Sequence, residues 1–287
     1  MPPFFTISTS TYNAADTLPH LLDSLASQTC RDFNWIVQDG ASSDATMQIV
    51  EQYRDRLPEI LADSSKDSGI YDAWNKAIDR WQDKMGEWVL FLGADDELNE
   101  AQTLEKCKSI LENISTEIIF ACGDALIING DKIIRTFPAN TNTGLRFLPY
   151  NMPFCHTAMF TRCEALLTGF DSSFKIAGDH DFFCRTWKHK NQALSLHIIV
   201  AKMAATGISS TQELTIFKEK NKIRKRYFPA IYYKTFLLYF FYRIDMTIRK
   251  NKQTIKKFFI KSKIGILIWS KFSELHKKVF SRVTKRS

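Results

Sequence analysis

The stretch Trp88-Val89-Leu90-Phe91-Leu92-Gly93-Ala94-Asp95-Asp96 joins an apolar run of five residues to two adjacent carboxylates. A short continuous apolar run is typical of a strand that is covered on both faces of a sheet. Partly buried carboxylates after such a strand lose hydration, and a hard divalent cation would neutralise them. A solvated loop, in which one acid caps the following helix, explains Asp95 and Asp96 as well. The stretch therefore predicts a buried strand and leaves the role of its acids open.

Strand and helix patterns alternate on the N-terminal side of this strand. Short apolar or β-branched runs predict strands over 4–9 and 33–37, and a weaker one at 60–61. Helical spacing of apolar residues predicts the helices between them, and the last helix spans 70–81 with five inward side chains: Ile70, Trp74, Ala77, Ile78 and Trp81. This alternation predicts an α/β fold with a mostly parallel sheet and helices on both faces. Asn129-Gly130 predicts a β-hairpin, so the sheet becomes mixed in its second half.

Further acids follow predicted strands or open predicted helices. Asp39 follows the strand over 33–37, and ligands of such sheets bind beyond the carboxyl ends of the strands. Asp39 could accept a hydrogen bond from a nucleobase or a ribose hydroxyl, or it could belong to an ordinary turn. Asp179 and Asp181 open a predicted helix, where either is a candidate general base or a capping acid. From residue types alone, both interpretations stand for each acid.

The order of five motifs along the chain carries more information than any one of them. The motifs are Ser10-Thr11-Tyr12-Asn13, Gln38-Asp39-Gly40-Ala41-Ser42-Ser43-Asp44, Asp67-Ser68-Gly69-Ile70-Tyr71-Asp72-Ala73-Trp74-Asn75-Lys76-Ala77, Phe91-Leu92-Gly93-Ala94-Asp95-Asp96 and Gly178-Asp179-His180-Asp181. Together they resemble the family 2 glycosyltransferases, which have the nucleotide-diphospho-sugar transferase (GT-A) fold. The resemblance covers roughly residues 3–210 and is greatest to the bacterial branch that builds colanic acid, capsule and lipopolysaccharide chains. It implies a GT-A catalytic domain over residues 1–215.

The resemblance also implies roles for individual residues. Nucleotide-sugar binding would fall to Tyr12, Asp39, Asp67, Asn75, Asp95 and Asp96. Asp95 corresponds to the last Asp of the family's Asp-x-Asp motif and, with Asp96, would bind a divalent cation, Mn²⁺ or Mg²⁺. Asp179 corresponds to the family's proposed catalytic base, and Asp181 is the alternative base. His156 lies where this branch often has a His, and it could face the acceptor or the diphosphate. A structural role without a ligand is the other interpretation of a single His.

Two glycines depart from the family pattern. Gly93 stands where the family has the first Asp of its metal motif, and Gly178 stands where it has a Glu before the base. The first departure leaves the remaining ribose or metal contacts to Asp96 or to water. The stretch over 207–210, Gly-Ile-Ser-Ser, resembles the end of the catalytic domain in this branch.

The implied reaction is a single displacement with inversion at the anomeric carbon. Asp179 would take the proton from an acceptor hydroxyl as that oxygen attacks the donor sugar, and general-base help of this kind contributes ~10²–10⁴-fold to a rate. A cation on Asp95 would stabilise the departing nucleoside diphosphate. The acceptor implied by the family branch is a glycan, carried on a lipid, in bacterial surface polysaccharide synthesis.

The charge of the chain divides into two opposed parts. The net charge is +8, yet residues 220–287 contain 20 Lys and Arg against two acids, a net +18, which leaves a net −10 for residues 1–219. Nine aromatic residues fall within 227–242, and apolar residues at helical spacing over 264–283 alternate with basic ones. This composition predicts a basic, aromatic, amphipathic helical tail over 216–287 that associates with an anionic membrane surface. A helical subdomain that packs its apolar stripe on the body is the other interpretation.

Two other function classes fit parts of the sequence. The basic aromatic tail could bind nucleic acid, although no nucleic-acid motif is present and the body is acidic. A sugar nucleotidyltransferase would share the α/β architecture, but it needs a Gly-rich basic loop after the first strand, and residues 8–13 provide none. Six isolated cysteines and an N-terminus unlike a signal peptide favour a cytoplasmic protein. The basic tail would hold it as a peripheral protein at the inner face of the cell membrane.

Overall fold

The computed structural model describes residues 1–130, 132–205 and 213–233. Two stretches singled out in the sequence, 207–210 and the predicted amphipathic helix over 264–283, lie outside these residues. A compact unit that contains the sheet runs from Met1 to Phe228, and a second unit begins at Pro229. No helix within the described ranges is long and apolar enough to span a membrane.

A mixed sheet forms the centre of the first unit, and its first four strands are parallel. They lie in the order β3-β2-β1-β4, with the bounds β1 Phe5–Thr11, β2 Phe33–Asp39, β3 Ile60–Ser64 and β4 Trp88–Phe91. Parallel pairing aligns their carboxyl ends, so that Thr11 pairs with Asp39 and Asp39 pairs with Ser64. The four predicted strands are confirmed, and their polar ends converge on one edge of the sheet.

The second half of the sheet is mixed, which confirms the hairpin prediction. It contains β5 Glu97–Leu98, β6 Phe120–Asn129, β7 Lys132–Phe137, β8 Met159–Arg162 and β9 Ala193–Ala204. β6 pairs antiparallel with β7 and β8, β8 pairs antiparallel with β4, and β9 runs parallel to β6. β5 pairs antiparallel with β9. Because β5 begins directly after Asp96, this pairing holds the loop after β4 in place.

Helices cover both faces of the sheet, as predicted. One face carries α1 Leu18–Ala26, α2 Thr46–Gln52 and α4 Thr103–Leu111. The other carries α3 Ile70–Trp81, α5 Thr141–Phe147, α6 Cys163–Leu166, α7 Gly178–Thr186 and α8 Glu213–Tyr227. Adjacent residues of β2 alternate between the two cores: Trp35 and Val37 belong to the first, and Ile36 belongs to the second. This is the pattern of a strand buried on both faces.

The helix predicted over 70–81 has these same bounds, but one of its side chains was placed wrongly. Trp74, Ala77, Ile78 and Trp81 are buried, whereas Ile70 is 37% exposed. Side chains of a helix lean toward its N-terminus, so the first residue points past the end of the helix rather than onto the sheet. Tyr71 is the buried aromatic residue at this end.

α8 packs on the sheet unit, although the sequence placed most of its residues in the tail. Ile223 is fully buried in the second core, and Tyr227 and Phe228 pack against that core. The predicted domain boundary between 215 and 216 therefore falls inside α8, and the compact unit ends after Phe228. The sequence analysis placed most of α8 in the tail because the helix is rich in Lys and Arg. Only a few apolar residues, such as Ile223, attach it to the core.

Candidate active site

The loops after β1, β2 and β3 meet at the carboxyl edge of the sheet. Gly40 follows β2, and a Cβ at that position would lie 2.8 Å from Asp67 Oδ2 and 3.4 Å from the Tyr12 ring. Three predicted donor-binding residues, Tyr12, Asp39 and Asp67, are therefore brought to one place. Tyr12 is 70% exposed, so its ring is free to lie against a ligand. The lack of a side chain on Gly40 is what lets these loops approach so closely.

Asp39 is fully buried at the end of β2, and its carboxylate accepts four hydrogen bonds. The donors are the Thr11 hydroxyl (2.8 Å), the Ser64 hydroxyl (2.6 Å), and both the backbone N–H (2.8 Å) and the hydroxyl of Ser42. Burial by itself would raise the pKa of Asp39, but the hydrogen bonds from Ser42, Ser64 and Thr11 lower the pKa below its ordinary value. Asp39 is thus an ionised acceptor surrounded by hydroxyls that can rotate.

Asp67 and Asn75 use their side chains differently. Asp67 Oδ1 accepts from the Gly69 N–H at 2.9 Å, while Oδ2 faces the space beside Gly40. Asn75 lies on α3, and both polar atoms of its amide bind the backbone of Phe170: Oδ1 accepts from its N–H (2.7 Å) and Nδ2 donates to its carbonyl (2.9 Å). Asn75 thus joins α3 to the loop at Phe170 through both polar atoms of its amide, and its contact with the nucleotide-sugar stays a prediction.

The two acids after β4 have opposite environments. Asp95 is exposed, whereas Asp96 is buried and accepts from the Gly93 N–H at 2.7 Å. Burial, with a further contribution from Asp95, raises the pKa of Asp96 to about 7. A Cβ on Gly93 would lie 2.8 Å from Asp95 Oδ1 and 2.9 Å from Asp96 Oδ2. The missing Asp of the family motif thus leaves a space that both remaining carboxylates line.

This pair of carboxylates fits a hard divalent cation of the Mg²⁺ type. Such ions use one or two protein carboxylates and take their other ligands from water and substrate phosphates. Within the described residues, no group of three or more His, Cys, Asp and Glu side chains is arranged to hold a metal by itself. Asp95 would supply the exposed oxygen, and Asp96, with its buried charge uncompensated, would gain from a neighbouring cation.

Asp179 lies in the first turn of α7, where the sequence predicted a helix start. Its Oδ1 lies 3.3 Å from the Tyr71 hydroxyl of α3 and accepts from the N–H of His180. The preceding residue, Gly178, is in contact with the same ring, because a Cβ there would lie 2.8 Å from two carbon atoms of Tyr71. Tyr71 thus occupies the space that a Glu side chain would need at position 178.

Asp181 is held in an ion pair away from this contact. It is 1% exposed, and its Oδ1 accepts from Arg226 of α8 at 2.8 Å. Arg226 also binds Asp171 at 3.0 Å. The Asp181 carboxylate is therefore bound by α8, whereas Asp179 has no ion-pair partner among the described residues.

His156 lies between the β4 strand and α7. Its ring stacks on Trp74 (centroids 4.9 Å apart) and on Phe91 (5.5 Å), and neither ring nitrogen has a hydrogen-bond partner within the described residues. Burial lowers the pKa of His156, although Asp179 opposes that shift. The pKa of the neighbouring Cys155 thiol is raised by burial, and the negative charges of Asp96 and Asp179 add to this shift. The segment 155–156 therefore lies within electrostatic reach of both the β4 acids and α7.

Sequence reasoning missed the residues that hold the acids in place. Tyr71 was part of a quoted motif but received no role, and Ser42, Ser64 and Arg226 received none either. Ser42 had a detectable signal, since it follows Asp39 by three residues as in an ordinary Asp-initiated turn. Arg226 had none, because its pairing with Asp181 joins residues 45 positions apart.

Known proteins resemble this chain in sequence and in fold. The sequence profile described as Glycosyl transferase family 2 matches residues 6–169. A "PGL/p-HBAD biosynthesis glycosyltransferase" of Mycobacterium bovis (strain BCG / Pasteur 1173P2) is 34% identical over 216 residues, which is 71% of this chain and 78% of that protein. The TarS 1–349 structure of S. aureus in complex with UDP-GlcNAc aligns at a TM-score of 0.58 and 23% identity, over 72% of this chain and 59% of TarS 1–349.

A more distant solved structure shows the same fold. Mannosyltransferase PcManGT from Pyrobaculum calidifontis, in complex with GDP-Man and Mn²⁺, aligns at a TM-score of 0.52 and 19% identity, over 72% of this chain and 59% of that one. These alignments confirm the GT-A fold that the motifs implied. The family profile spans more than half of the chain and includes the strand ends that bear Asp39 and Asp95. The chain belongs to glycosyl transferase family 2.

Proposed function

We propose that this chain transfers a sugar from a nucleoside-diphosphate sugar to a hydroxyl of a glycan acceptor, with inversion at the anomeric carbon. The observation that carries the proposal is the convergence of carboxylates at one edge of the sheet. Asp39 and Asp67 lie together beyond β2 and β3, Asp95 and Asp96 follow β4, and Asp179 opens α7. A donor with a base, a diphosphate and a reactive sugar needs contacts of these three kinds.

The nucleotide would lie over the loops after β1, β2 and β3. Tyr12 offers an exposed ring for stacking, and Asp39 offers an ionised acceptor for a base N–H or a ribose hydroxyl. The hydroxyls of Ser42 and Ser64 now donate to that carboxylate, and a base N–H would take the place of one of them. Asp67 Oδ2 is the acceptor nearest to Gly40 and would complete the contact with the nucleotide.

Asp95 and Asp96 would hold the divalent cation beside the donor diphosphate. A cation bound there supplies positive charge against the negative charge that develops on the departing nucleoside diphosphate. Asp96 gives the loop its shape through the Gly93 N–H, and Asp95 presents its oxygens outward. The two adjacent carboxylates support a dependence of the reaction on a divalent cation, and the Mn²⁺ in the PcManGT structure is consistent with it.

Asp179 would take the proton of the acceptor hydroxyl. Its carboxylate lies beside the Tyr71 hydroxyl and has no ion-pair partner among the described residues, unlike Asp181 with its Arg226. His156 lies close enough to Asp179 for the two to interact electrostatically, and its two buried nitrogens have no described partner. We assign His156 to the acceptor side of the site, where a sugar hydroxyl would satisfy one of these nitrogens.

The acceptor class is proposed from the relatives and from the tail. The Mycobacterium relative belongs to PGL/p-HBAD biosynthesis, and the S. aureus relative is a poly(ribitol-phosphate) beta-N-acetylglucosaminyltransferase. These activities support a cell-surface glycan as acceptor. The net +13 of residues 234–287, which follow α8, supports a lipid-linked form of it, met at the anionic cytoplasmic face of the membrane.

The test is a donor panel combined with two point variants. Purified protein is incubated with UDP-, GDP- and dTDP-sugars, with and without Mn²⁺ and a lipid-linked acceptor, and released nucleoside diphosphate is measured. We expect release from at least one donor, and a fall in kcat of ~10²–10⁴-fold for Asp179→Asn with donor binding kept within about twofold. Asp181→Asn is the matched control, expected to reduce thermal stability more than turnover of the folded protein.

Two results would contradict the proposal. No nucleoside diphosphate released from any donor, with or without acceptor, would exclude the proposed reaction. Near wild-type turnover by Asp179→Asn together with inactive Asp181→Asn would transfer the base assignment to Asp181.

A further inference from the structure

Glu219 of α8 binds three successive backbone N–H groups directly before α7. Its Oε1 accepts from the Lys175 N–H at 2.7 Å, and its Oε2 accepts from those of Ile176 (3.0 Å) and Ala177 (2.8 Å). Hydrogen bonds to an ionised carboxylate are stronger than those between neutral groups. One side chain thus fixes the backbone of 175–177, and α7 begins at the next residue, Gly178.

Tyr71 holds the same segment from α3. Its hydroxyl donates to the Ile176 carbonyl at 2.5 Å and lies 3.3 Å from Asp179 Oδ1. The ring is buried, and it packs against the backbone of Gly178. The segment 175–177 is therefore bound on its N–H side by Glu219 and on its carbonyl side by Tyr71, and both contacts are within two to four residues of the proposed base.

Neighbouring contacts of α8 keep Glu219 in register with this segment. Arg226 binds Asp171 and Asp181, which lie on either side of 175–177, and Lys222 donates to the Ser173 hydroxyl at 2.7 Å. Ile223 anchors the helix in the core between these polar contacts. α8 thus binds the chain on both sides of Asp179, with Glu219 at 175–177 and Arg226 at Asp181.

We propose that Glu219 is a positioning residue for Asp179. The inference rests on the proposed function, since it needs Asp179 to be the base. The first turn of α7 carries the base, and its direction depends on the backbone at 175–177. Without Glu219, three backbone N–H groups would lose their acceptor, and the segment 175–177 would shift. A displacement of the base by about 1 Å can lower a rate about 10²-fold.

The test compares two substitutions with a matched control on the same helix. Glu219→Gln keeps the size of the side chain but puts an NH₂ group against backbone N–H donors. Tyr71→Phe keeps the ring but removes the hydroxyl that binds the Ile176 carbonyl and lies 3.3 Å from Asp179 Oδ1, so it tests the carbonyl side of the segment together with the direct contact to the base. Lys218→Gln, at an exposed neighbouring position, is the control. Steady-state kcat and donor KM are measured well below the unfolding temperature of each variant, and amide hydrogen exchange of 175–177 is followed.

A positioning role predicts a split between kcat and KM. We expect Glu219→Gln to lower kcat by about 10- to 100-fold with donor KM within about twofold of wild type, and to speed exchange of the 175–177 amides. Tyr71→Phe should lower kcat in the same way. The double variant should lose less than the product of the two single effects, because both act on one segment. Lys218→Gln should match wild type.

The inference is overturned if Glu219→Gln turns over like Lys218→Gln while Asp179→Asn is inactive. It is equally overturned if Glu219→Gln and Tyr71→Phe raise donor KM and leave kcat unchanged. Failure of the proposed function has a different signature, because wild-type protein would then release no nucleoside diphosphate at all.

Discussion

Asp179 and Asp181 are two residues apart on α7, yet their side chains have different partners. Asp181 is buried and paired with Arg226, so its charge serves to attach α8. Asp179 is half-buried beside the Tyr71 hydroxyl, and no ion pair to it is present in the described part of the chain. Consecutive side chains of an α-helix point about 100° apart, so two residues apart they point in nearly opposite directions. The two acids therefore face different neighbours. Residue type is the same in both cases, and the partner decides the role.

We expect the stability of the protein to depend on the lack of a side chain at Gly178. A Cβ there would lie 2.8 Å from the Tyr71 ring, so Gly178→Ala forces the ring or the start of α7 to shift. We expect the free energy of unfolding to fall by about 1–3 kcal/mol, as for other overpacked sites. Gly178→Glu, which restores the family's residue, should cost more. Chemical denaturation measures both, and Gly178→Ala in a Tyr71→Leu background is the control: a cost that persists without the ring would contradict the steric explanation.

Asp96 makes the stability of the metal-free protein depend on pH. Burial raises the pKa of Asp96 to about 7, above its value of about 3.9 in an unfolded chain. A raised pKa means that the folded state binds the proton more tightly, so this contribution is complete below about pH 4 and is lost as pH rises toward 7. It amounts to at most about 4 kcal/mol.

The measurement is thermal unfolding in EDTA at pH 5 and pH 8. Asp96→Asn does not titrate and keeps an oxygen for the Gly93 N–H. We therefore expect it to gain stability relative to wild type between pH 5 and pH 8. Asp95→Asn, which removes only the neighbouring charge, should show a smaller gain in the same direction. Parallel pH profiles for wild type and Asp96→Asn would contradict this assignment.

At the scale of elements, four parallel strands and one helix do most of the positioning. The carboxyl ends of β1, β2, β3 and β4 place their loops side by side, which is where ligands bind in open α/β sheets. α8 contributes from a distant part of the sequence, because its side chains bind the segment before α7 and the Asp181 carboxylate. α8 is therefore part of the site's support, although its charge resembles that of the tail.

Truncation tests where the catalytic unit ends. A chain ending at Tyr233 keeps α8, and we expect it to unfold cooperatively within a few degrees of the full chain. A chain ending at Thr215 loses Ile223 from the core and leaves Asp181 buried without Arg226, and breaking such a pair costs about 3–5 kcal/mol. We expect it to aggregate or to melt at a far lower temperature in calorimetry. Equal melting temperatures for the two chains would restore the boundary at 215.

At the scale of the whole molecule, the opposed charges of the two parts remain a prediction about location. Residues 234–287 contain 15 basic residues against two acids and lie outside the described residues. Each basic side chain near an anionic leaflet contributes about 1 kcal/mol at low salt, so several together are enough for attachment without a spanning helix.

Vesicle binding tests this location. We expect the full chain to pellet with vesicles rich in anionic phospholipid and not with neutral ones, and the binding to weaken as salt is added. The chain ending at Tyr233 is the matched control and should stay in the supernatant. Nucleic acid is the rival partner, so a gel shift is run beside it. Tight binding to nucleic acid without vesicle binding would favour the rival.

The fold class, the strands and the acids that follow them could be predicted from the amino-acid sequence, because apolar periodicity and motif order can be recognised along the chain. The sequence also placed the 70–81 helix, the hairpin at Asn129-Gly130 and the convergence of acids at one sheet edge. Three contacts appear only in the folded chain: the Asp181 carboxylate with Arg226, the Asn75 amide with the Phe170 backbone, and the 175–177 backbone with Glu219. Each of these contacts joins residues more than 40 positions apart, so no local sequence pattern indicates it. In the charge count, Arg226 contributed only to the net charge of the tail and Glu219 only to that of the body. Pairing in space therefore distinguished a candidate base from a structural acid.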